Sequence, residues 1–175
     1  MHQFLVIIRG APASGKTTIA QNLRNYKKKI VWLKVDNFKP FFAEDATLAE
    51  QEDVDKSALA VLKDLLDRGF SVVMEKIFYD SGIIPLAVEE AKKRNVASLV
   101  FQTKCSLKEL QNRDLNRPGI AEGCRKPLGG EIIKSIYQQL EETCYPGSIE
   151  LDTEILSLQK CLELINNELN KSHSD

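Results

Sequence analysis

The chain has 175 residues, with 24 Lys and Arg against 25 Asp and Glu, a net charge of −1, and 43% hydrophobic residues. This length predicts one domain, residues 1–175, with a single sizeable core, and it leaves no room for a second catalytic domain. The nearly balanced charge does not favour nucleic acid or a membrane surface as a partner. Neither the length nor the net charge indicates an oligomeric state.

The cysteines and histidines exclude several kinds of site. The cysteines are Cys105, Cys124, Cys144 and Cys161. Their wide spacing contains no C-x-x-C pair, so we interpret them as reduced thiols. The two histidines, His2 and His173, lie near the ends of the sequence, which disfavours a histidine-based triad. No apolar run approaches the roughly 18 residues of a membrane span, and the first strand begins too close to Met1 for a signal peptide. We therefore expect a cytoplasmic protein without a membrane partner.

The strongest motif is G-A-P-A-S-G-K-T at residues 10–17, which fits G-x-x-x-x-G-K-[ST]. An apolar run at residues 4–8 predicts a buried strand before it, and residues 16–24 predict a helix after it. In this context backbone N–H groups and the helix N-terminus hold nucleotide phosphates, Lys16 reaches the β- and γ-phosphates, and Thr17 holds Mg²⁺. The predicted nucleotide-binding residues of this loop are Gly10, Ala11, Pro12, Ala13, Ser14, Gly15, Lys16, Thr17 and Thr18.

Two carboxylates end the next two predicted strands. Residues 30–36 predict strand two, with Asp36 at its carboxyl end. Apolar residues at helical spacing between 54 and 65 predict a helix that Gly69 ends. Strand three follows at residues 70–74, and Glu75 ends it.

The second half of the chain continues the alternation. Residues 81–94 predict a helix and 96–102 predict strand four. Ser106 and Glu109 form a capping box that opens the next helix. Glycines and prolines between 116 and 130 predict a mobile loop, and we define residues 113–130 as the lid. A helix at 131–142, a strand at 148–151 and a helix from Glu154 to about residue 169 complete the predicted elements.

Strands that alternate with helices predict a parallel sheet covered on both faces. We expect an α/β protein with the three-layer α/β/α P-loop NTPase fold of the nucleoside-kinase type. Its five strands are expected in the order 2-3-1-4-5, with an arginine-bearing lid. Ligands of such sheets bind at the carboxyl ends of the strands. The phosphate-binding loop, Asp36 and Glu75 are therefore expected at one edge.

Each carboxylate has two interpretations. Asp36 is a candidate base that accepts the proton of an acceptor hydroxyl, and its alternative role is to cap a helix or loop. Glu75 is a candidate ligand of Mg²⁺ or of its water, or a contact of the acceptor, and its alternative role is an ion pair with Lys76 or Lys34.

The lid carries the candidate cations. Arg113, Arg117 and Arg125 are predicted to close over the triphosphate and neutralise the charge of the transferring group, with Arg113 and Arg117 catalytic and Arg117 and Arg125 binding nucleotide. The alternative is an exposed helix face with i,i+4 charges. Candidate acceptor-binding residues are Phe38, Lys39, Phe42, Tyr79 and Asp80. Such aromatic residues are also typical of a core.

Other nucleotide-binding classes lack their further motifs. A GTPase needs N-K-x-D, whereas residues 103–106 read T-K-C-S. A transporter ATPase needs L-S-G-G-Q, and residues 128–131 read only L-G-G-E. Remodelling ATPases need an additional helical domain. These classes are therefore disfavoured.

The loop, V-D-N-F-K at residues 35–39, and Arg113 with Arg117 resemble the small P-loop kinases. That group includes chloramphenicol phosphotransferase, polynucleotide kinase, gluconate kinase and the zeta-toxin sugar-nucleotide kinases. The resemblance covers nearly the whole sequence and implies Asp36 as the base and Arg113 and Arg117 as paired lid arginines. V-V-M-E at residues 72–75 is similar to the zeta-toxin pattern in particular. Two positions depart from the group: Lys39 stands where an arginine commonly binds substrate, and Lys76 replaces a small residue.

The sequence therefore predicts an ATP- and Mg²⁺-dependent kinase that phosphorylates a hydroxyl of a small-molecule or nucleotide-like acceptor. One alternative is a regulatory or nucleic-acid-associated ATPase without a small-molecule acceptor. Another is a polynucleotide 5′-hydroxyl kinase, which the lysines at residues 27–29 and Lys39 support weakly.

Overall fold

The computed structural model describes residues 3–26, 29–45, 50–79, 82–117 and 126–172, without the side chain of residue 26. Within these ranges the strands are β1 (Phe4–Gly10), β2 (Ile30–Lys34), β3 (Ser71–Glu75), β4 (Ala97–Lys104) and β5 (Ile149–Asp152). The helices are α1 (Lys16–Tyr26), α2 (Gln51–Asp67), α3 (Ile83–Lys92), α4 (Leu107–Leu115), α5 (Gly130–Glu142) and α6 (Leu158–Lys171). A short 3₁₀ helix, Val35–Phe41, follows β2.

The strands form one sheet in the order β2-β3-β1-β4-β5, and all neighbouring pairs are parallel. This confirms the predicted fold class and strand order. In the register, Glu75 lies beside both Ile8 and Lys34, and Gly10 lies beside Thr103. The carboxyl ends of β1, β2, β3 and β4 therefore meet at one edge of the sheet.

The alternation of side chains along β1 divides the core into two layers. Leu5 and Ile7 pack with α2 and α3 on one face, whereas Val6 and Ile8 pack with α1 and α6 on the other. All seven residues of β1 are buried. A smaller cluster around Leu110 joins α4 and α5 beyond the sheet. This packing fixes β1, and with it the loop that follows, at the centre of the molecule.

Several element ends differ from the sequence prediction. The last helix begins at Leu158 rather than at Glu154, because the Asp152 carboxylate accepts the N–H groups of Glu154 and Ile155 and closes a separate turn. Ser157 then caps α6. Strand β2 ends at Lys34, so Asp36 lies in the first turn of the 3₁₀ helix and not on the strand.

The predicted capping box is half correct. The Ser106 hydroxyl accepts the Glu109 N–H at 3.3 Å, but the Ser106 N–H donates to Glu154 at 2.7 Å. Glu109 contacts Arg113 instead. Gly69 does end α2 as predicted, with a positive φ of 77°. A tertiary contact thus replaces one local hydrogen bond of the box.

The described part of the chain contains no helix that is long and apolar enough to cross a membrane. Cys105, Cys144 and Cys161 are free thiols, and burial raises the pKa of Cys105 to about 11. Some predicted features lie outside the described residues, namely Cys124, Asp80, Arg125, both histidines, the lysines at 27 and 28, and the middle of the lid.

Candidate active site

The turn after β1 depends on a glycine at Gly10. Its φ is 148°, and a Cβ built there would lie 2.0 Å from the Thr103 hydroxyl oxygen. That hydroxyl donates to the Arg9 carbonyl at 3.1 Å and lies 2.6 Å from the Ser14 hydroxyl. β4 therefore supports the loop through Thr103, and a side chain at Gly10 would displace this support.

The rest of the loop is also held in a fixed conformation. Ala13 and Gly15 both have positive φ, 65° and 87°. The Ser14 N–H donates to the Ala11 carbonyl at 3.3 Å, and the Lys16 ammonium donates to the same carbonyl at 2.7 Å. Lys16 is only 7% exposed. The loop is thus preformed at the N-terminus of α1, with its lysine folded along it.

Glu75 connects three parts of the site. Its carboxylate accepts the Thr17 hydroxyl at 2.7 Å on one oxygen and the Trp32 indole N–H at 2.9 Å on the other. The side chain is 4% exposed. The predicted alternative partners lie elsewhere, because Lys76 pairs with Asp55 at 2.6 Å and the Lys34 ammonium lies 5.8 Å from the Trp32 ring centroid.

Thr17 and Glu75 supply adjoining hydroxyl and carboxylate oxygens, the donor types that Mg²⁺ prefers. The described residues contain no cluster of three or more His, Cys, Asp or Glu for a metal. A site with one or two protein oxygens is the usual arrangement where Mg²⁺ is bound together with nucleotide phosphates and water. The donor set therefore fits Mg²⁺ at this position.

Asp36 lies beside the end of β2 with its side chain 35% exposed. One carboxylate oxygen contacts the Lys39 ammonium at 2.8 Å, one turn further along the 3₁₀ helix. Lys39 is thus paired with Asp36, a contact that the sequence interpretation missed although the i,i+3 spacing of opposite charges was visible.

The two described arginines of the predicted lid are both anchored. Arg113 donates to Glu109 at 2.8 Å and to the Thr153 hydroxyl and carbonyl at 3.2 and 2.9 Å. Arg117 donates through Nε to Asp114 at 2.9 Å. The alternative prediction of exposed i,i+4 charges is therefore partly correct for Arg113, whose pair with Glu109 has that spacing.

Asp114 joins the two ends of the lid. Its side chain is 2% exposed, and its second oxygen accepts the backbone N–H groups of Leu128 and Gly129 at 2.7 and 3.1 Å. The Arg117 contact uses the first oxygen. One buried carboxylate thus connects the end of α4 to the segment that enters α5.

A cavity of about 480 Å³ opens over these side chains. Its lining residues are Pro12, Ala13, Gly15, Lys16, Thr17, Thr18, Gln21, Lys34, Asp36, Glu75, Lys76, Ile77, Arg113 and Arg117. Five cationic side chains thus face two carboxylates. This surplus of positive charge suits an anionic ligand.

The cavity brings together all four predicted catalytic residues, Lys16, Asp36, Arg113 and Arg117, but not the described acceptor candidates. Lys16, Thr17, Asp36, Glu75, Arg113 and Arg117 line it, whereas the described candidates Phe38, Lys39, Phe42 and Tyr79 lie outside its lining. Gly10, Ala11 and Ser14 of the loop are buried and do not line this cavity. Phe38 packs against the core, as its alternative interpretation expected.

Four residues that contact side chains or the loop of the site were not identified from the sequence. They are Trp32, Asp55, Asp114 and Thr153. Thr153 directly follows β5, so the rule that identified Asp36 and Glu75 at strand ends also applies to it. Asp114 has an i,i+3 charge pair with Arg117, which is a local signal. Trp32 and Asp55 have no such signal, because their partners are distant in sequence.

Solved structures share this fold at low sequence identity. The Deinococcus radiodurans tunicamycin resistance protein has a TM-score of 0.68 at 16% identity, with 96% of each chain covered. The gluconokinase from Sinorhizobium meliloti 1021 has a TM-score of 0.65 at 15% identity, with 97% of this chain and 98% of that chain covered.

A third similar structure is a chain of the Pnkp1/Rnl/Hen1 RNA repair complex, with a TM-score of 0.64 and 22% identity. The similarity covers 82% of this chain but spans only 46% of that one. No curated protein sequence matches the chain. The family model of zeta toxin matches residues 2–147. The chain therefore belongs to the zeta toxin family, and its fold is that of the P-loop kinases.

Proposed function

We propose that this protein is an ATP- and Mg²⁺-dependent kinase that transfers the γ-phosphoryl group to a hydroxyl of a small-molecule or nucleotide-like acceptor. The observation that carries the proposal is the shared cavity of about 480 Å³. It places the phosphate-binding loop, Asp36, Glu75 and two arginines around one space. Phosphoryl transfer needs this combination of phosphate-binding groups, cations and a group that orients the nucleophile.

On the donor side, the loop N–H groups and Lys16 bind the β- and γ-phosphates. Lys16 exchanges its present contact with the Ala11 carbonyl, at 2.7 Å, for a phosphate oxygen. Thr17 and Glu75 hold Mg²⁺, and Trp32 fixes the orientation of Glu75 through its N–H. The metal supplies charge neutralisation and alignment of the phosphates.

On the acceptor side, Asp36 accepts the proton of the attacking hydroxyl. Its Oδ1 is held by Lys39, so we assign the proton to Oδ2. The hydroxyl oxygen bonds to the γ-phosphorus, the bond from that phosphorus to the bridging β,γ-oxygen breaks, and the products are ADP and a phosphate monoester. Arg117, whose Nε is held by Asp114, donates its Nη groups to the transferring phosphoryl oxygens.

Replacement of the proposed base tests this mechanism. In Asp36→Asn the amide cannot take the proton, so we expect phosphoryl transfer to fall by about 10²- to 10⁴-fold. The ATP affinity should be unchanged, because the proposed mechanism assigns Asp36 to the acceptor hydroxyl and not to the nucleotide. Transfer is measured as acceptor-dependent ADP release together with detection of the phosphorylated product, and ATP affinity by calorimetry.

Asp64→Asn is the matched control, since it makes the same chemical change at an exposed carboxylate that pairs with Arg68 at 3.1 Å. This variant should retain wild-type transfer. Unchanged transfer in Asp36→Asn would show that Asp36 is not the base. ATP turnover that is stimulated by a polynucleotide and yields no phosphorylated product would refute the kinase and favour the ATPase alternative.

A further inference from the structure

Arg9 is a buried arginine near the end of β1. It is 0% exposed, and it lies on the same face of the strand as Leu5 and Ile7, which pack in the apolar core. Its described partners are two carbonyl oxygens and a hydroxyl, and not a carboxylate. Burial of a guanidinium is costly, so an arginine at this position requires hydrogen bonds that an apolar residue would not need.

The contacts of Arg9 join two segments that are distant in sequence. Its Nη1 donates to the Thr143 carbonyl at 2.6 Å, and its Nη2 donates to the Thr143 hydroxyl and to the Phe78 carbonyl, both at 3.3 Å. Thr143 is the C-cap of α5, and Phe78 lies shortly after β3. The planar fork of the guanidinium therefore holds the end of α5 against the segment that follows β3.

The contact with Phe78 fixes one wall of the cavity. Lys76 and Ile77 line the cavity, and we call residues 76–78 the β3 wall. Phe78 has a φ of 55°, an uncommon conformation for a bulky residue that persists only where surrounding contacts hold it. Its ring lies in the core, and its carbonyl is held by Arg9. Arg9 thus fixes the end of the β3 wall.

The other end of α5 is also held by a buried charge. Asp114 accepts the N–H groups of Leu128 and Gly129 at 2.7 and 3.1 Å, and Gly129 is the N-cap of α5. The other oxygen of Asp114 accepts from Arg117. A carboxylate at the N-terminal end and a guanidinium at the C-terminal end are the charges that the helix dipole favours at these positions.

Between these two charges α5 is one continuous helix. It has 13 residues and is therefore about 20 Å long. Its buried face lies in the same apolar cluster as Leu110 of α4. Glu141 also pairs with Lys104 at 3.0 Å near the C-terminal end, but solvent-accessible pairs of this kind contribute little. Buried contacts thus hold α5 along its length and at both ends.

We propose that α5 is a rigid connection between Arg117 and the β3 wall, with Asp114 and Arg9 as positioning residues at its two ends. In the proposed mechanism Arg117 binds the transferring phosphoryl group. Contact with this γ-phosphoryl group then fixes the β3 wall through Asp114, α5 and Arg9. The donor nucleotide thereby sets the shape of the opposite side of the cavity before transfer. This inference rests on the proposed kinase function, which assigns the γ-phosphoryl group to Arg117.

Two nucleotides that differ in the γ-phosphate test this connection. The probes are ADP and adenosine 5′-(β,γ-imido)triphosphate, which we abbreviate as the imido analogue, each with Mg²⁺ at saturation. Hydrogen exchange of the backbone amides of residues 76–78 is measured by NMR, with the amides of β1 as the reference for global opening. We expect the imido analogue to slow this exchange about 5- to 10-fold more than ADP does. Equal exchange in the two complexes overturns the inference.

Variants of Arg9 test the C-terminal end of the connection. In Arg9→Met the difference between the two nucleotides should disappear at residues 76–78. Both nucleotides should still bind, because the Arg9 carbonyl still accepts the Thr103 hydroxyl beside the loop. Arg9→Lys should recover only part of the difference, since an ammonium lacks the planar fork. A full difference in Arg9→Met would show that the γ-phosphate acts on the β3 wall directly, and would overturn the inference.

Glu141→Gln is the matched control for the Arg9 variants. It removes the ion pair with Lys104 near the same end of α5, and it leaves the contacts of Arg9 in place. This variant should keep the full difference between the nucleotides. Loss of the difference in Glu141→Gln would show that any disturbance near this helix end has the same effect, and that Arg9 has no specific role.

Asp114→Asn tests the connection from the distant end, and it does so even if Arg9→Met does not fold. Asp114 contacts Arg117, Leu128 and Gly129, none of which belongs to the β3 wall. The difference at residues 76–78 should nevertheless fall to less than about half of the wild-type value. Asp114→Asn combined with Arg9→Met should lose no more than Arg9→Met alone, because the two residues act in series. An unchanged difference in Asp114→Asn overturns the connection.

These measurements need no turnover, so their outcomes are distinct from those of the kinase assay. An effect of the γ-phosphate that requires Arg9 and Asp114, in a protein that phosphorylates no acceptor, supports the connection and refutes only the kinase proposal. Calorimetric binding of both nucleotides with equal exchange overturns the connection and leaves the kinase proposal in place. Failure of both nucleotides to bind refutes both.

Discussion

The two sides of the cavity are built in different ways. The donor side is a single loop between β1 and α1, and its shape depends on backbone angles at Gly10 and Gly15 and on contacts such as that of Lys16 with Ala11. The rest of the lining, which we call the proposed acceptor side, combines side chains from separate segments, including Asp36 of the 3₁₀ helix and Lys76 after β3, which pairs with Asp55 of α2. Backbone conformation thus dominates one side, and pairing of side-chain charges dominates the other.

This difference has a consequence for substitutions. Changes in the donor loop should alter folding and nucleotide binding together, because the backbone is both the structure and the binding surface. Changes on the acceptor side should alter substrate preference while the fold persists. The following experiments test this division, beginning with the largest expected effect.

Gly10→Ala should damage the donor side most. The new Cβ would meet the Thr103 hydroxyl oxygen at 2.0 Å and the Thr103 carbonyl oxygen at 2.9 Å, at a φ of 148°. We expect the free energy of unfolding to fall by about 3 kcal/mol or more, with loss of ATP binding. Urea denaturation and calorimetry measure the two effects.

Gly147→Ala is the matched control for this change. Gly147 has a φ of 79°, but nothing lies within 4 Å of an added Cβ. The backbone conformation alone should cost about 1 kcal/mol and leave ATP binding intact. If Gly10→Ala were no more harmful than Gly147→Ala, close packing against Thr103 would not determine the loop.

Asp114→Asn tests the connection between the ends of the lid. The amide loses the charge that three N–H donors share, so we expect a fall of about 2 kcal/mol in the free energy of unfolding, together with slower phosphoryl transfer. Arg117→Ala, by comparison, leaves the Leu128 and Gly129 contacts in place. That variant should lower transfer and should reduce the free energy of unfolding by less than Asp114→Asn does, because two of the three hydrogen bonds to the Asp114 carboxylate remain. Equal losses of stability in both variants would contradict the role given to Asp114.

Trp32→Phe should have a smaller effect than Gly10→Ala or Asp114→Asn. It keeps an aromatic ring beside Arg24 but removes the N–H that donates to Glu75 at 2.9 Å. We expect the Mg²⁺ concentration for half-maximal activity to rise by about 3- to 10-fold. Arg24→Leu removes the cation from the ring without a change at Glu75, and its Mg²⁺ requirement should match wild type. The same shift in both variants would assign the effect to the ring and not to the hydrogen bond.

The sequence predicted what depends on local patterns. The loop, the end of α2 at Gly69 and the parallel sheet follow from short motifs or from the alternation of strands and helices, and the strand order was expected from the P-loop fold type that the loop indicates. Asp36 and Glu75 reached one cavity because strand ends in a parallel sheet meet at one edge, and Arg117 reaches the same cavity from the end of α4.

What the sequence did not predict depends on tertiary contacts. Lys76 meets a carboxylate 21 residues away in sequence, and Trp32 reaches Glu75 from 43 residues away. Glu154 takes the Ser106 N–H, so part of the predicted capping box does not form. Partners at such separations leave no periodic signal in a single sequence. The acceptor side is therefore the part that sequence patterns describe least.

Because of Thr153, the donor loop depends on a residue that is synthesised much later than the loop itself. Its hydroxyl donates to the Ser14 carbonyl at 3.0 Å across 139 residues and also accepts from Arg113. The family model ends at residue 147, before β5 and α6. Since synthesis proceeds from the N-terminus, the loop is made 139 residues before Thr153 and lacks this contact until that residue is added. We infer that a nascent chain stopped before residue 153 binds nucleotide less well than the chain of residues 1–175.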